Sequence, residues 1–241
     1  MTEQNISTIG VLGLFAVALV YCAYKAWRLY ANARLATDTP TSNIRGLSDG
    51  FVELQGKIWP DSDEQIAPIS GRPCVYFRIE IEQYRQGKNS GSWDTVLESA
   101  APDWIVIEDH TGVARVNMSC AEVELKKDSH CKSSTFNRAS PELKARLEAR
   151  YNFSTKGLIF GKQLRYTEWR LAPNDPLYVL GTAKAGAPPT ISKGEKPLIV
   201  SDRGESDLVN ELQFRGALYG AGALACGLVL LLLWVFLARG A

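Results

Sequence analysis

The sequence predicts a mainly β domain of the α+β class. It is barrel- or sandwich-like, carries one or two short helices, and is set between two transmembrane helices. Three observations predict this. Two long uncharged apolar runs lie near the ends, at 6–24 and 216–237. Several short stretches between them alternate apolar and polar residues with the period of a strand. Gly, Pro, Asn and Asp separate these stretches, as turns require.

The second apolar run reads GALYGAGALACGLVLLLLWVFL. As a helix it is about 33 Å long, against a hydrocarbon core of about 30 Å. A helix also satisfies its own backbone polar groups, which lipid cannot do. Tyr219 and Trp234 lie near its ends, where amphipathic rings favour the interface, and Arg215 and Arg239 bracket it. A span is expected over 216–238, preceded by a membrane-proximal helix at 205–215. Gly216 and Gly220 form a G-x-x-x-G pair that Ala223 and Gly227 continue. Small faces of this kind let helices approach closely, so these four residues are the expected helix-packing face, toward the first span or a second copy.

The first run, ISTIGVLGLFAVALVYCAY, has about the minimum spanning length. Its leading MTEQN carries no base, and Tyr21 precedes Cys22. Neither a cleaved secretory signal nor a lipoprotein signal fits, so an uncleaved anchor is expected. Lys25, Arg28 and Arg34 follow, with Trp27 and Tyr30, in a juxtamembrane segment and linker over 25–43. The basic excess after the first span places the middle domain, 44–204, in the cytoplasm.

The elements of that domain read in order. Val52, Leu54 and Ile58 alternate with Glu53, Gln55 and Lys57, a strand that Pro60-Asp61 ends. At 74–85, Val75, Phe77, Ile79 and Ile81 form one face, and Tyr76, Arg78, Glu80, Glu82 and Tyr84 the other. The segment 86–94 reads as a loop. The stretches 104–108 and 113–118 flank Asp109-His110-Thr111-Gly112 and predict a hairpin, with Gly112 supplying a positive φ. Ser140-Pro141-Glu142 opens a helix ending near Tyr151, with Leu143 and Leu147 on one face. Strands are expected at 164–171, 177–183 and 198–201, and 185–197 reads as an exposed loop.

Composition narrows the function. The chain has 27 basic and 26 acidic residues, a formal net charge of +1, so no field calls for nucleic acid. Neither span contains an ionisable residue, which argues against a transporter or proton path. Outside the spans lie Cys74, Cys120 and Cys131, an odd count that suits a reducing compartment and leaves open one Cys120–Cys131 bridge. His110 and His130 are the two histidines. Cys120, His130 and Cys131 match no closed zinc spacing, and no nucleophile has an evident base and third group. No catalytic residue, metal site or cofactor is expected. Cys74 reads as a buried small hydrophobe. Asp109 reads as a turn former. Glu168, between Tyr166 and Arg170, is expected to pair with a base such as Arg78.

The ordered motifs of the middle domain resemble the GIDE, or "beside a membrane", family. They are Ile44-Arg45-Gly46-Leu47, the stretch PISGRPCVYFR at 68–78, Asp109-His110-Thr111-Gly112-Val113-Ala114, and Glu168 followed by DPLYVLG at 175–181. Pro197-Leu198-Ile199-Val200-Ser201 and Glu205 close the pattern. The resemblance implies that Gly71, Pro73, Cys74, Tyr76, Asp109, Gly112, Glu168 and Gly181 are family-motif residues, and their expected role is structural. The best-known members are outer-membrane ubiquitin ligases of mitochondria and chloroplasts, in which a C-terminal RING finger does the ligase work. In organelle members the domain faces the intermembrane space, opposite to the side that the charges place it here. The sequence contains no C-x-x-C pair, so an eight-ligand, two-zinc RING cannot be built from it. The expectation is a RING-less form, as in prokaryotes. It would act by binding an unidentified protein partner or a ligand at the bilayer, with homo-oligomers through the spans open. The alternative implied by the resemblance is E3 ubiquitin transferase activity.

Overall fold

In the computed structural model, residues 3–87, 90–126, 129–133, 140–153 and 163–240 are described. The chain forms two units. One joins the two ends of the chain, up to Thr39 and from Glu205 onward; the other is Pro40–Gly204.

The first unit is a helical hairpin of α1 (Glu3–Asp38) and a C-terminal helix of equal length, 36 residues. At 1.5 Å per residue each is about 54 Å long. Both are long and apolar enough to cross a membrane. Helix α1 runs on through the juxtamembrane segment to Asp38, near the start of the expected linker. Leu19, Cys22, Ala26, Leu29, Ala33 and Ala36 are among its less exposed residues, at spacings of alternately three and four. On the partner helix, Leu208, Leu212, Arg215, Tyr219, Gly222 and Cys226 repeat that spacing. A mean period of 3.5 gives two helices a left-handed coiled-coil seam. The pairing is antiparallel: the Tyr30 ring lies against Gly216, Cys22 against Gly222, and Leu19 near Gly227. The Tyr21 and Tyr219 rings meet edge-on at 6.4 Å.

Among the described residues the second unit contains thirteen strands and α2 (Pro141–Tyr151); the C-terminal helix is α3 (Glu205–Gly240). The strands are β1 (Gly50–Pro60), β2 (Gln65–Ile66), β3 (Pro73–Cys74), β4 (Tyr76–Gln86), β5 (Gly91–Ala101), β6 (Trp104–Glu108), β7 (Val113–Asn117), β8 (Glu122–Glu124), β9 (Ser129–Ser133), β10 (Leu164–Leu171), β11 (Pro176–Lys184), β12 (Thr190–Ser192) and β13 (Ile199–Ser201). One sheet runs β1-β6-β7-β12-β11, and β1 also pairs with β11, so these five strands close into a barrel. Strands β13 and β8 extend that sheet from β11. A second sheet has the order β5-β4-β10-β9, and β2 pairs with β3.

Strand β1 is the hinge of this topology. It pairs with β11 through Gly50–Lys57 and with β6 through Lys57–Pro60. At the changeover, a Cβ on Gly56 would lie 2.3 Å from the carbonyl oxygen of Glu108. Only glycine lets β6 come this close.

Two apolar cores follow the two sheets. Leu54, Ile58, Ile105, Ile107, Val116 and Val179 fill the barrel. Phe77, Ile79, Ile81, Leu164 and Tyr166 line one face of the four-stranded sheet, and Leu143 and Leu147 of α2 pack on it. Helix α2 begins where the sequence places it, with the Ser140 hydroxyl oxygen accepting the Leu143 N–H at 3.2 Å. Asn152 ends it in the left-handed conformation.

Three local expectations differ from the structure. The segment read as a loop at 86–94 contains the start of β5, which continues to Ala101. It is an edge strand with no fully buried residue, so it lacks the alternation that marks a half-buried strand. Val96 is an extra residue there, between the Ile81–Leu97 and Glu82–Thr95 pairs. The loop at 185–197 contains β12, whose Ile191 is fully buried in the barrel. One apolar residue in a three-residue strand is too short a signal for periodicity to show. Glu53, on the polar side of the alternation in β1, is fully buried. It accepts hydrogen bonds from the Thr41 hydroxyl (2.6 Å), Gln55 Nε2 (3.1 Å) and the Tyr178 hydroxyl (2.8 Å).

Candidate functional site

The motif residues gather at two places. At the first, the tight loop between β2 and β3 is gripped from both sides. The fully buried Glu168 of β10 accepts the Ile69 N–H at 2.7 Å and the Ser70 N–H at 3.2 Å on both oxygens. Arg146 of α2 donates to the carbonyls of Pro68 (2.9 Å) and Ile69 (2.8 Å). Arg150, one turn on, donates to Ile66 and lies over the Phe77 ring. The loop's donors thus meet a carboxylate and its acceptors meet guanidinium groups. Burying Leu143 and Leu147 brings both arginines to this side of the helix.

Gly71 closes the loop with φ +71°, a left-handed conformation that glycine adopts without strain. A Cβ there would sit 3.1 Å from the Arg146 guanidinium. Pro73 is exposed and pairs with Ile66. Cys74 is fully buried, its Sγ 3.6 Å from the Gln65 carbonyl oxygen. Burial pushes its thiol up to about 11, and the nearby Glu168 charge adds to this. Tyr76 is buried at the start of β4, and burial pushes its hydroxyl up to about 12 against the opposing effect of Arg78. Glu168 is therefore engaged by backbone amides. Arg78, the partner expected for it, instead pairs with Glu98 at 2.7 Å and lies over the Trp169 ring. Sequence gave no sign of this, because backbone N–H groups leave no mark in it.

The second gathering lies at the seam of the barrel. Asp109 Oδ1 accepts the Thr111 N–H (2.6 Å), the Thr111 hydroxyl (2.6 Å) and the Gly112 N–H (2.9 Å). Its Oδ2 accepts the Ile44 N–H at 2.9 Å, and the Thr111 hydroxyl oxygen accepts the Arg45 N–H at 3.1 Å. Two motif pieces far apart in sequence are joined by one carboxylate. Burial alone would raise Asp109. The hydrogen bonds from Thr111, Ile44 and Gly112 outweigh it and hold the carboxyl below its ordinary value. Gly112 is not among the glycines with positive φ. Its place depends on its N–H bond to Asp109 and on Ile44, whose Cγ2 would lie 3.4 Å from an added Cβ.

A lowered carboxyl contributes stability above its unfolded value and loses it as pH falls through the folded one. Asp109→Asn should therefore be less stable than the parent at pH 7. The gap should close as pH falls below about 4. Thermal midpoints of both proteins at pH 7 and pH 3 check this; a gap that persists unchanged at pH 3 contradicts it.

Beside this turn runs the β10–β11 connection. Asp175 Oδ2 accepts the Ala172 N–H at 2.7 Å, and the Asp175 carbonyl accepts the Ile58 N–H at 3.0 Å. Asn174 sits at φ +71° and donates its N–H to Ile58. The two turns and the changeover of β1 enclose an open groove of about 600 Å³. Gln55, Gly56 and Lys57 form one side, Glu108, Asp109 and His110 another, and Asn174 and Pro176 the end. Lys57, Glu108 and His110 are exposed, as a solvated turn histidine should be. The groove offers both signs of charge and amide groups. Gly181 faces Leu198 and Ile191 within the barrel, away from this groove's lining.

Among the described residues no group of three or more His, Cys, Asp or Glu is placed to hold a metal ion. Cys120 is exposed. His130 and Cys131 lie on β9, but their side chains, and with them the Cys120–Cys131 bridge, lie outside the described residues. In the hairpin, Gly216 and Gly227 meet α1, whereas Gly220 has nothing within 4 Å of an added Cβ. Gly220, Ala223 and Gly227 line an apolar groove with Leu19 and Ala23.

A family model, GIDE, described as E3 ubiquitin ligase, matches residues 78–236, about two thirds of the chain. The chain belongs to the GIDE family. The match covers the Asp109 turn, Glu168, the DPLYVLG stretch and most of α3 of the GIDE chain, while the loop at 66–72 precedes it. No curated protein and no solved structure matches the chain.

Proposed function

We propose that this GIDE protein is a membrane-anchored binding module whose barrel-seam groove engages a polypeptide partner. The observation that carries the reading is that groove, where the Asp109 and Asp175 turns set Lys57, Glu108, His110 and Asn174 around one open surface. The carboxylates of Asp109, Asp175 and Glu168 are engaged by hydrogen bonds that hold the fold, which suits recognition better than catalysis. Anchoring is supported by the hairpin. Its outer face exposes large apolar residues such as Leu14, Val17, Leu224 and Phe236, a surface that water penalises and lipid accepts.

The test is a photo-crosslinking residue placed at Gln55 in intact cells. A discrete adduct is expected, and Lys57→Glu should reduce its yield about tenfold, as reversal of one charge at the rim of an interface allows. An adduct pattern identical to that of a crosslinker on exposed Trp59, and indifferent to Lys57→Glu, overturns the reading.

A second reading is a ubiquitin-transfer component, favoured by the family description. With no C-x-x-C pair in this sequence, the zinc ligands of a RING would come from outside it. Ubiquitin transfer reconstituted with a chain that supplies them, and lost when this one is omitted, would establish it. The charge rule places the domain in the cytoplasm. A protease site inserted at the exposed Gly186 tests this, because cleavage is then expected only after cells are permeabilised.

A further inference from the structure

We infer that α1 carries a binding site for the headgroup phosphate of an anionic phospholipid, in a notch between Trp27 and Arg34. The inference rests on the reading that α1 crosses a bilayer.

Trp27, Tyr30, Ala31 and Arg34 line a cavity of about 400 Å³. Their spacing of three, four and seven residues from Trp27 puts them on one helix face over two turns. Ala31 leaves the space, since its methyl group stands between three long side chains. The Tyr30 ring lies against Gly216 of α3, which fixes one wall.

The depth suits a headgroup. The apolar run ends at Tyr24, so Trp27 is about 5 Å and Arg34 about 15 Å farther along the axis. Headgroup layers are about 5–7 Å thick on each side of the hydrocarbon. Helical side chains lean toward the helix N-terminus, which for α1 is the direction of the hydrocarbon. The long Arg34 side chain therefore leans back toward that layer from its outer edge, with Trp27, 67% exposed, within the layer.

The charge selects the lipid. Residues 4–37 contain three bases, Lys25, Arg28 and Arg34, and no acid. Arg34 has no hydrogen-bond or ion-pair partner among the described residues. A planar guanidinium matches two phosphate oxygens. Over 4–37 the helix itself offers no carboxylate to hold the ammonium of a zwitterionic headgroup.

The test uses the full chain, purified in detergent and analysed by native mass spectrometry with added phosphatidylglycerol or phosphatidylcholine. Phosphatidylglycerol should be retained about fivefold in preference, the effect of roughly one basic contact. Arg34→Gln should bring the ratio near one and Trp27→Leu should lower it. Lys193→Gln, an exposed base on the domain, should leave it unchanged. An equal ratio for the parent and Arg34→Gln, at matched thermal midpoints, overturns the inference. So does loss of the lipid to millimolar inorganic phosphate, which would make the site one for free phosphate. Alkaline carbonate extraction separates the two readings. A chain released from membranes defeats the spanning reading and this one together; a chain retained without lipid preference defeats this one alone.

Discussion

Glu168→Ala is expected to cost about 3–5 kcal/mol of domain stability. The carboxylate is fully buried and is the acceptor for the Ile69 and Ser70 N–H groups. A hydrogen bond to a charged group contributes about 1.5–3 kcal/mol, and a buried donor left without an acceptor costs about 1–3 kcal/mol. The loop cannot turn its amides elsewhere, because Arg146 holds the carbonyls of Pro68 and Ile69 on the opposite side. Glu168→Gln keeps one carbonyl oxygen and should lose about half as much. In a domain of this size the alanine variant should melt about 6–20 °C lower. Glu98→Ala, which removes the exposed partner of Arg78, should shift the midpoint by no more than about 2 °C. Thermal unfolding of the full chain in detergent measures all three. Equal midpoints for Glu168→Ala and Glu98→Ala would sink the account of the loop.

Gly56→Ala should cost about 2–3 kcal/mol and also disturb the groove. The added Cβ would lie 2.3 Å from the Glu108 carbonyl oxygen and 3.0 Å from its carbon. Those atoms are backbone and cannot swing away as a side chain would. Strand β6 must shift or the β1–β6 pairing must open, and strain of this kind typically costs 1–3 kcal/mol. The two lining segments, Gln55–Lys57 and Glu108–His110, would separate at the same time. The Gln55 crosslink should fall with the midpoint. Gly46→Ala, where an added Cβ meets nothing within 4 Å, is the control and should leave both readouts near parental values. A Gly56→Ala protein with parental stability would mean that the closed seam does not require glycine.

The parts legible in the sequence share one property: their signal is local. The alternation of β4, the Asp109 hairpin, the Ser140 cap of α2 and the uncharged runs within α1 and α3 each depend on residues within a few positions of one another. Side-chain period, cap chemistry and helix length are set by covalent geometry and desolvation, so the order of residues reports them directly. The motif order likewise led to the family that the match over 78–236 shows.

What the tertiary structure alone decided is where those elements close on one another. Strand β1 turning from β11 to β6, Ile191 completing the barrel, Glu53 buried against Tyr178, and Glu168 receiving two amides from a loop about a hundred residues earlier all join distant segments. A carboxylate reads the same in sequence whether its partner is water, Arg78 or a backbone N–H. Burial removes the water, and the fold then determines which donor takes its place.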